Sequence, residues 1–334
     1  MQRRQLGPGG PSVSAVGVGA MSFTSFYGPT DEAASHAILT AALDLGIDHI
    51  DTANVYGMGL SETVIGRFLA RQGKARGGLF RIATKAGIRR DPETKARSFD
   101  NSPEHLAAEL DASLRRLGVE AVDLYYVHRR DPRIPIEEVA GTLAGFIAAG
   151  KIHAFGFSEI APASLRRAAV EHPVAAVQSE YSLQTRSPEL GLVQSCERLG
   201  ASLVAFSPVG RGLLTDTPPT PAKIAGSDFY KANPRFSEPN YAANLAITEG
   251  FRKLAAEMGT SAAALAVAWL LHRSPAVIAI PGTRSVDHLQ QLAAGGSLRL
   301  SDADLDRIET VLPVGWAHGD RYSEAQWAGP ERYA

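Results

Sequence analysis

Asp51 and Tyr56 stand five residues apart in the stretch Asp48-His49-Ile50-Asp51-Thr52-Ala53-Asn54-Val55-Tyr56-Gly57. Ile47 and Ile50 supply the apolar positions of a short strand, and Asp51 marks its end. Asn54, Tyr56 and Gly57 read as the loop that follows. A carboxylate and a phenol leaving one strand end can enter the same pocket. Alone the pattern says little, because an Asp after a strand more often caps a helix or makes a turn. Other strand ends supply partners: Phe80-Arg81-Ile82-Ala83-Thr84 leads to Lys85, and Asp123-Leu124-Tyr125-Tyr126-Val127 leads to His128. A buried ammonium must be paired or lose its charge, and Asp51 is the natural partner of Lys85. That pair alone fits a structural ion pair as well as a catalytic one. Tyr56 and His128 add the chemistry. An ammonium beside a tyrosine is expected to lower its pKa, so that the phenol can protonate a developing alkoxide. His128 can donate a hydrogen bond to the same oxygen. The four groups polarise and protonate a carbonyl but carry no reductant, so a hydride has to come from a cofactor.

Other chemistries find less support. The nine histidines are scattered, with no HExxH or paired His/carboxylate spacing, so no metal site is predicted. No GxSxG elbow is present for a serine hydrolase. A barrel hydrolase or isomerase would need a metal or a carboxylate pair, and Glu180 stands to one side of Asp51. The single cysteine, Cys196, shares a helical face with Leu192, Val193 and Leu199 and reads as a packed thiol. Lys and Arg number 34 against 35 Asp and Glu, with signs interspersed, which marks neither a nucleic-acid nor a membrane surface. The N-terminus lacks the apolar run of a signal peptide, and the greasy stretch from Ala262 to Leu271 is short enough to be a buried helix. A cytoplasmic protein is the expectation; oligomeric state is not readable.

The elements that must position these residues follow a repeating unit. The stretch around Gly7-Pro8-Gly9-Gly10-Pro11 reads as a β-hairpin over 1–14. Strands are predicted at about 15–19, 48–51, 80–84, 123–127, 153–157, 175–179, 202–206 and 277–280. Helices are predicted at roughly 31–45, 61–73, 103–117, 135–149, 162–171, 188–199, 243–258 and 286–294, with a last one opened by Ser301-Asp302. Caps are read at Thr30, Ser61-Glu62 and Ser102-Pro103. Eight short apolar strands alternating with helices call for a parallel sheet covered on both faces. An open doubly wound sheet would carry a GxGxxG turn, and Gly17-Val18-Gly19 lacks its third glycine. The expectation is an α/β fold, a single (β/α)₈ barrel over 1–334, with a long loop after strand seven at 208–240 and an irregular tail at 313–334.

On these residues the chain resembles the aldo-keto reductases over nearly its whole length. The carrying motifs are Asp51-Thr52-Ala53-Asn54-Val55-Tyr56-Gly57, Ala83-Thr84-Lys85, Leu124-Tyr125-Tyr126-Val127-His128-Arg129 and Gly156-Phe157-Ser158. Val177-Gln178-Ser179-Glu180-Tyr181-Ser182, Phe206-Ser207-Pro208-Val209-Gly210-Arg211-Gly212-Leu213-Leu214 and Ile280-Pro281-Gly282-Thr283-Arg284 continue the series. Pro234-Arg235-Phe236, Asn244-Leu245 and Gly319-Asp320-Arg321-Tyr322 look most like the bacterial and fungal branch of pyridoxal reductases and broad-range aldehyde reductases. The resemblance implies a barrel that binds NADPH in an extended pose and reduces aldehydes and ketones. Tyr56 would be the general acid, Lys85 and Asp51 would tune it, and His128 would orient the carbonyl. Gly19 and Met21 would border the cofactor, and Tyr181 would stack on the nicotinamide while Ser158 and Gln178 held its amide. Ser207, Pro208, Gly210, Gly212 and Leu213 would wrap the pyrophosphate, and Gly282, Thr283 and Arg284 the 2′-phosphate end.

The chain departs from the family pattern after Arg284. His288, Gln291 and Leu292 stand where a basic or aromatic residue, a Glu and an Asn commonly meet the adenine. Leu292 cannot make the Asn hydrogen bonds, so NAD(H) stays open beside NADP(H). Phe23, Phe26, Tyr27, Met58, Phe229, Trp316 and Trp327 lie in loops or the tail and are candidates for an aromatic substrate wall, with Phe23, Tyr27, Met58 and Trp316 put first. The partner expected is a small carbonyl substrate, aromatic or of medium size. The alternative is a cofactor-binding sensor or regulatory subunit with little turnover.

Overall fold

The computed structural model describes residues 1–73, 78–91, 93–94 and 96–333. A short antiparallel hairpin comes first, β1 (Arg3–Gln5) paired with β2 (Ser12–Ser14), its turn passing through Gly7 and Gly9 at positive φ. The parallel strands follow as β3 (Val18–Gly19), β4 (His49–Asp51) and β5 (Arg81–Ala86). A second hairpin, β6 (Ile88–Arg90) and β7 (Arg97–Phe99), interrupts the series before β8 (Val122–Val127), β9 (Ile152–Ser158), β10 (Ala176–Glu180), β11 (Ser202–Phe206) and β12 (Val277–Ala279). The eight parallel strands run in the order β3-β4-β5-β8-β9-β10-β11-β12. Val16 bridges Ala279, with Gly17 N–H donating to Ala279 O at 2.8 Å and Ala279 N–H to Ala15 O at 2.9 Å. The last strand thus meets the first, and the sheet is a closed (β/α)₈ barrel.

The side-chain period of two divides the core into two layers. Ala83, Leu124, Tyr126, Ala176, Val204 and Ile278 point inward, where Leu6 and Val13 of the first hairpin join them. Ser202, at the start of β11, hydrogen-bonds Gln5 O and Gly7 N, so this hairpin plugs the N-terminal mouth of the barrel. Ile50, Ile82, Tyr125, Phe157, Val177 and Leu203 point outward into the larger core under the helices. Only the mouth at the strand C-termini stays open.

The covering helices are α1 (Glu32–Asp44), α2 (Leu60–Arg71), α3 (Pro103–Leu117), α4 (Ile136–Ala148), α5 (Pro162–Glu171) and α6 (Leu192–Leu199). Two short ones, α7 (Pro221–Ala225) and α8 (Asp228–Lys231), lie inside the long loop after β11. Then come α9 (Asn240–Glu257), α10 (Ala262–His272), α11 (Val286–Gly295) and α12 (Asp302–Val311). Ser102 caps α3 with Pro103 in the first turn, and Ser301 with Asp304 forms a reciprocal capping box on α12. Helix α10 is the buried helix that its composition predicts, with Trp269 fully enclosed. Among the described residues no single helix is long and apolar enough to cross a membrane.

Several boundaries differ from the sequence reading. Asp31, not Thr30, caps α1 by accepting from Ala34 N–H. Helix α2 begins after Gly59, so Ser61 and Glu62 are buried inside it. There they bond across to Thr52 and Thr84, a tertiary use that overrides their capping propensity. Helix α6 starts at Leu192 because Gly191, at φ +114°, ends the preceding turn. Hairpin β6–β7 is unforeseen, since Ile88-Arg89-Arg90 and Arg97-Ser98-Phe99 show no alternation of apolar and polar residues.

Gly17 and Gly19 belong to the barrel seam. A Cβ on Gly19 would lie 2.7 Å from the carbonyl oxygen of Ile280, and one on Gly282 would lie 2.7 Å from Gly19 O. Backbone cannot retreat there without parting the first and last strands. Gly19→Ala is therefore expected to cost about 1–3 kcal/mol of stability, read as a lower urea midpoint. A control Gly145→Ala, where a Cβ meets nothing on the exposed face of α4, should not destabilise.

Candidate active site

Strand parity brings polar residues from β4, β5, β8 and β10 together at the open mouth. Asp51 follows inward His49 on β4, Lys85 follows Ala83 on β5, His128 follows Tyr126 after β8, and Gln178 follows Ala176 on β10. Lys85 is wholly enclosed. Its Nζ donates to Asp51 Oδ1 and, at 2.8 Å, to Thr52 O, and it reaches Tyr56 Oη at 3.4 Å. Gln178 Nε2 donates to the other Asp51 oxygen at 2.7 Å. Tyr56 arrives on the turn after β4, where its N–H donates to Ala53 O. Gly57 follows at φ +59°, and a Cβ there would crowd Leu60 and Thr24. The rings of Tyr56 and His128 meet edge to face with centroids 5.8 Å apart.

Burial dominates the protonation of this group. The Tyr56 phenol is pushed well above its ordinary range by desolvation and then by the Asp51 charge, with Arg129 opposing. This corrects the expectation that Lys85 lowers it: burial and the Asp51 charge dominate, although the third ammonium N–H is directed at the phenol oxygen. The result is a tyrosine held as the neutral phenol, a proton donor. Desolvation also lowers the pKa of Lys85 against the pull of Asp51. His128 is driven well below the usual histidine range by burial and then by the cations Arg129, Lys85 and Arg97, so its ring is neutral. Its Nδ1 is buried with no partner among the described residues.

Asp51, Tyr56 and His128 form the floor of a cleft of about 1150 Å³, with Lys85 enclosed beneath them. One arm runs between the β11 and β12 ends, bordered by Ser207, Pro208, Gly212, Gly282, Thr283 and Arg284. His288, Gln291 and Leu292 line the cleft as well. Ser207, directly after β11, is a non-glycine residue at φ +53°, a backbone strain of the kind found at functional sites. Arg284 and Lys223 face each other closely enough to depress the Lys223 pKa after desolvation, and among the described residues neither is paired with a carboxylate. The other arm is walled by Phe26, Tyr27, Phe229 and Tyr322, with Phe26 and Phe229 at 4.9 Å between centroids.

The sequence model of the aldo/keto reductase family matches residues 15–313. The chain belongs to the aldo/keto reductase family. It is 37% identical over 317 residues to the NADP(+)-named aldo-keto reductase yakc of Schizosaccharomyces pombe, covering 94% of this chain and 93% of that one. A probable aldo-keto reductase of Glycine max is also 37% identical, over 96% and 92% of the two chains. Among solved structures, a glycerol dehydrogenase of Gluconobacter oxydans superposes with a TM-score of 0.82 at 31% identity, covering 93% and 94%. The holo form of an aldo-keto reductase from Bacillus halodurans gives 0.78 at 25% identity, covering 98% and 99%.

In this aldo/keto reductase, Gly19, Met21, Ser158 and Tyr27 line the cleft with the residues already named, and other expected members do not. Tyr181 has outward parity on β10; its ring packs on Trp269 and its hydroxyl donates to Glu189 Oε1 at 2.9 Å. Phe206, inward on β11, occupies the cleft wall instead. Counting alternate residues from Val204 would have found it. Gln178 lies beneath the floor, held by Asp51, and Gly210 and Leu213 are enclosed, the latter among Tyr230, Phe236 and Tyr241. Phe23 and Trp316 are core residues, with the Trp316 indole N–H bonded to Leu183 O, and Met58 points to solvent at 71% exposure. None of the three lines the cleft.

The sequence reading also missed a buried ion network behind the floor. Glu180 pairs with Arg211 at 2.5 Å and Arg235 at 3.4 Å, and Glu159 receives both terminal nitrogens of Arg321 from the tail. Arg129 bridges His128 O at 2.6 Å and Ser158 Oγ at 3.0 Å.

Two outcomes follow from this geometry. Lys85→Met leaves a buried carboxylate without its cation, so unfolding free energy should drop by about 3–5 kcal/mol; an unchanged urea midpoint would show that Gln178 alone suffices. Below pH 6.5, the ordinary histidine value, the unfolded chain takes up protons that His49 and His128 refuse when folded. Stability should therefore be level above that pH and fall steadily below it. The slope between pH 6.5 and 5 should be shallower in His128→Asn.

Proposed function

We propose that this chain reduces aldehydes and ketones to alcohols with NADPH, Tyr56 acting as the proton donor. The observation that carries the reading is the meeting of Tyr56, Asp51 and His128 on the floor of one cleft of about 1150 Å³, with Lys85 enclosed beneath them and bonded to Asp51 and Tyr56. As a member of the aldo/keto reductases it is an NADP-dependent oxidoreductase.

The residues present suit such a cofactor. Arg284 and Lys223, neither in an ion pair among the described residues, make a doubly cationic end for a 2′-phosphate, with guanidinium geometry that grips phosphate in a fork. This favours NADP over NAD despite Leu292 at the adenine end. Ser207, Pro208 and Gly212 border the pyrophosphate stretch, and Phe206 offers the ring face for the nicotinamide with Ser158 beside its amide. When bound, NADPH supplies the hydride. The Tyr56 phenol, kept protonated by burial and Asp51, passes its proton to the developing alkoxide, while neutral His128 holds the carbonyl oxygen. Lys85, fixed by Asp51 and Thr52 O, sets the phenol's position and stabilises it once the proton has left. Phe26, Tyr27, Phe229 and Tyr322 exclude water and favour aromatic or medium-sized aldehydes.

NADPH absorbance decay with an aromatic aldehyde tests the proposal. Tyr56→Phe should lose about 10²–10⁴-fold in kcat with the NADPH Kd unaltered. Equal turnover in the two proteins would remove Tyr56 from the reaction. Arg284→Met should raise the NADPH Kd and leave that for NADH nearly constant.

A further inference from the structure

Hairpin β6–β7 places like charges where they repel. Arg90 and Arg97 are direct cross-strand partners in its register, and both line the cleft on the His128 side. Directly opposed like charges destabilise a two-stranded ribbon. Arg129 stands behind them, close enough for Arg129 and Arg90 to depress the Arg97 pKa after burial. Its Nε is buried with no partner among the described residues.

Most of the described carboxylates near the hairpin are otherwise engaged. Asp100 pairs with Arg89 at 3.0 Å, Asp131 with Arg133 at 2.6 Å, and Glu159 with Arg321. Asp91 accepts from the turn N–H groups of Glu93 and Thr94. Among the described residues no ion pair joins Arg90, Arg97 or Arg129 to any acid. Arg97 is meanwhile held in place, its guanidinium over the Phe99 ring and donating to Ala328 O at 2.7 Å. Arg90, Arg97 and Arg129 thus all line the cleft that holds Tyr56 and His128.

We infer that Arg90, Arg97 and Arg129 recognise a carboxylate on the substrate, so that the preferred substrate is an aldehyde carrying an anionic group away from its carbonyl. The inference rests on the carbonyl-reductase reading above and narrows its substrate. The aromatic walls grip the body of the molecule, Tyr56 and His128 face its carbonyl, and the arginine hairpin neutralises its charged end. An anion between Arg90 and Arg97 also relieves their mutual repulsion.

The test compares 4-carboxybenzaldehyde with 4-methylbenzaldehyde, each with NADPH. In parallel, both are titrated into the NADP+-loaded protein with tryptophan fluorescence as readout. The wild type is expected to favour the carboxylate at least tenfold in kcat/KM, mainly through KM, and salt should erode that preference. In Arg90→Gln/Arg97→Gln the ratio should fall to near one, and Arg90→Lys/Arg97→Lys should recover part of it. Equal efficiency in the wild type, a preference that survives in the Gln double variant, or a change in NADPH Kd in place of the aldehyde ratio would each overturn the inference. Should neither aldehyde turn over, the reductase reading fails and the titration still decides this one. Tenfold tighter binding of the carboxylate supports it, and equal binding refutes it.

Discussion

The buried pair of Lys85 and Asp51 is the constraint around which the open mouth of the barrel is arranged. A lone ammonium or carboxylate in that position would be too costly to keep charged, so each group demands the other. Their demand is met because β4 and β5 are hydrogen-bonded neighbours: Asp51 is in register with Ala83, and Lys85, one inward position further along β5, reaches it with its long side chain. Gln178 takes the remaining Asp51 oxygen and Thr52 O a second ammonium hydrogen. The third ammonium hydrogen is directed at Tyr56 Oη at 3.4 Å, while burial and the Asp51 charge keep the phenol protonated.

Around this centre the molecule repeats the same device on a larger scale. Glu180 and Glu159 sit at the ends of β10 and β9, buried, and each is answered by arginines from distant chain segments. Arg211 and Arg235 come from the long loop, and Arg321 from the tail. Arg321 also lies over the rings of Tyr322 and Trp327. The two irregular segments are thereby anchored to the rigid strand ends by charge, and their aromatic side chains become fixed walls of the cleft. Breaking such an anchor would loosen the wall while leaving the barrel core intact.

The cleft is cationic at both ends and aromatic between them. That distribution suits a dinucleotide phosphate in one arm and a polar or charged substrate end in the other. The neutral, partly apolar centre keeps water away from the reacting carbon.

Much of the fold was legible in the chain. The alternation of apolar runs and capped amphipathic stretches depends on local periods of 2 and 3.6, and these survive in the structure. The strand-end residues Asp51, Lys85 and His128 could be named for the same reason, since parity and strand length are local properties. What failed to show were features set by packing at a distance. Ser61 and Glu62 look like a cap, yet contacts with Thr52 and Thr84 draw them inside α2. Tyr181 reads as a stacking ring, but its outward parity after β10 turns it to Trp269, and Phe206 lines the cleft. Trp316 and Met58 could equally face pocket, core or solvent, because nothing in a loop's own residues decides which neighbour it meets. The sequence by itself determined the barrel and the types of group at its mouth, through short-range pattern and the cost of burying charge. Only the tertiary structure decided the tyrosine's protonation, the engaged partners of each carboxylate and the arginines left over, because desolvation and pairing depend on residues that are far apart in the chain.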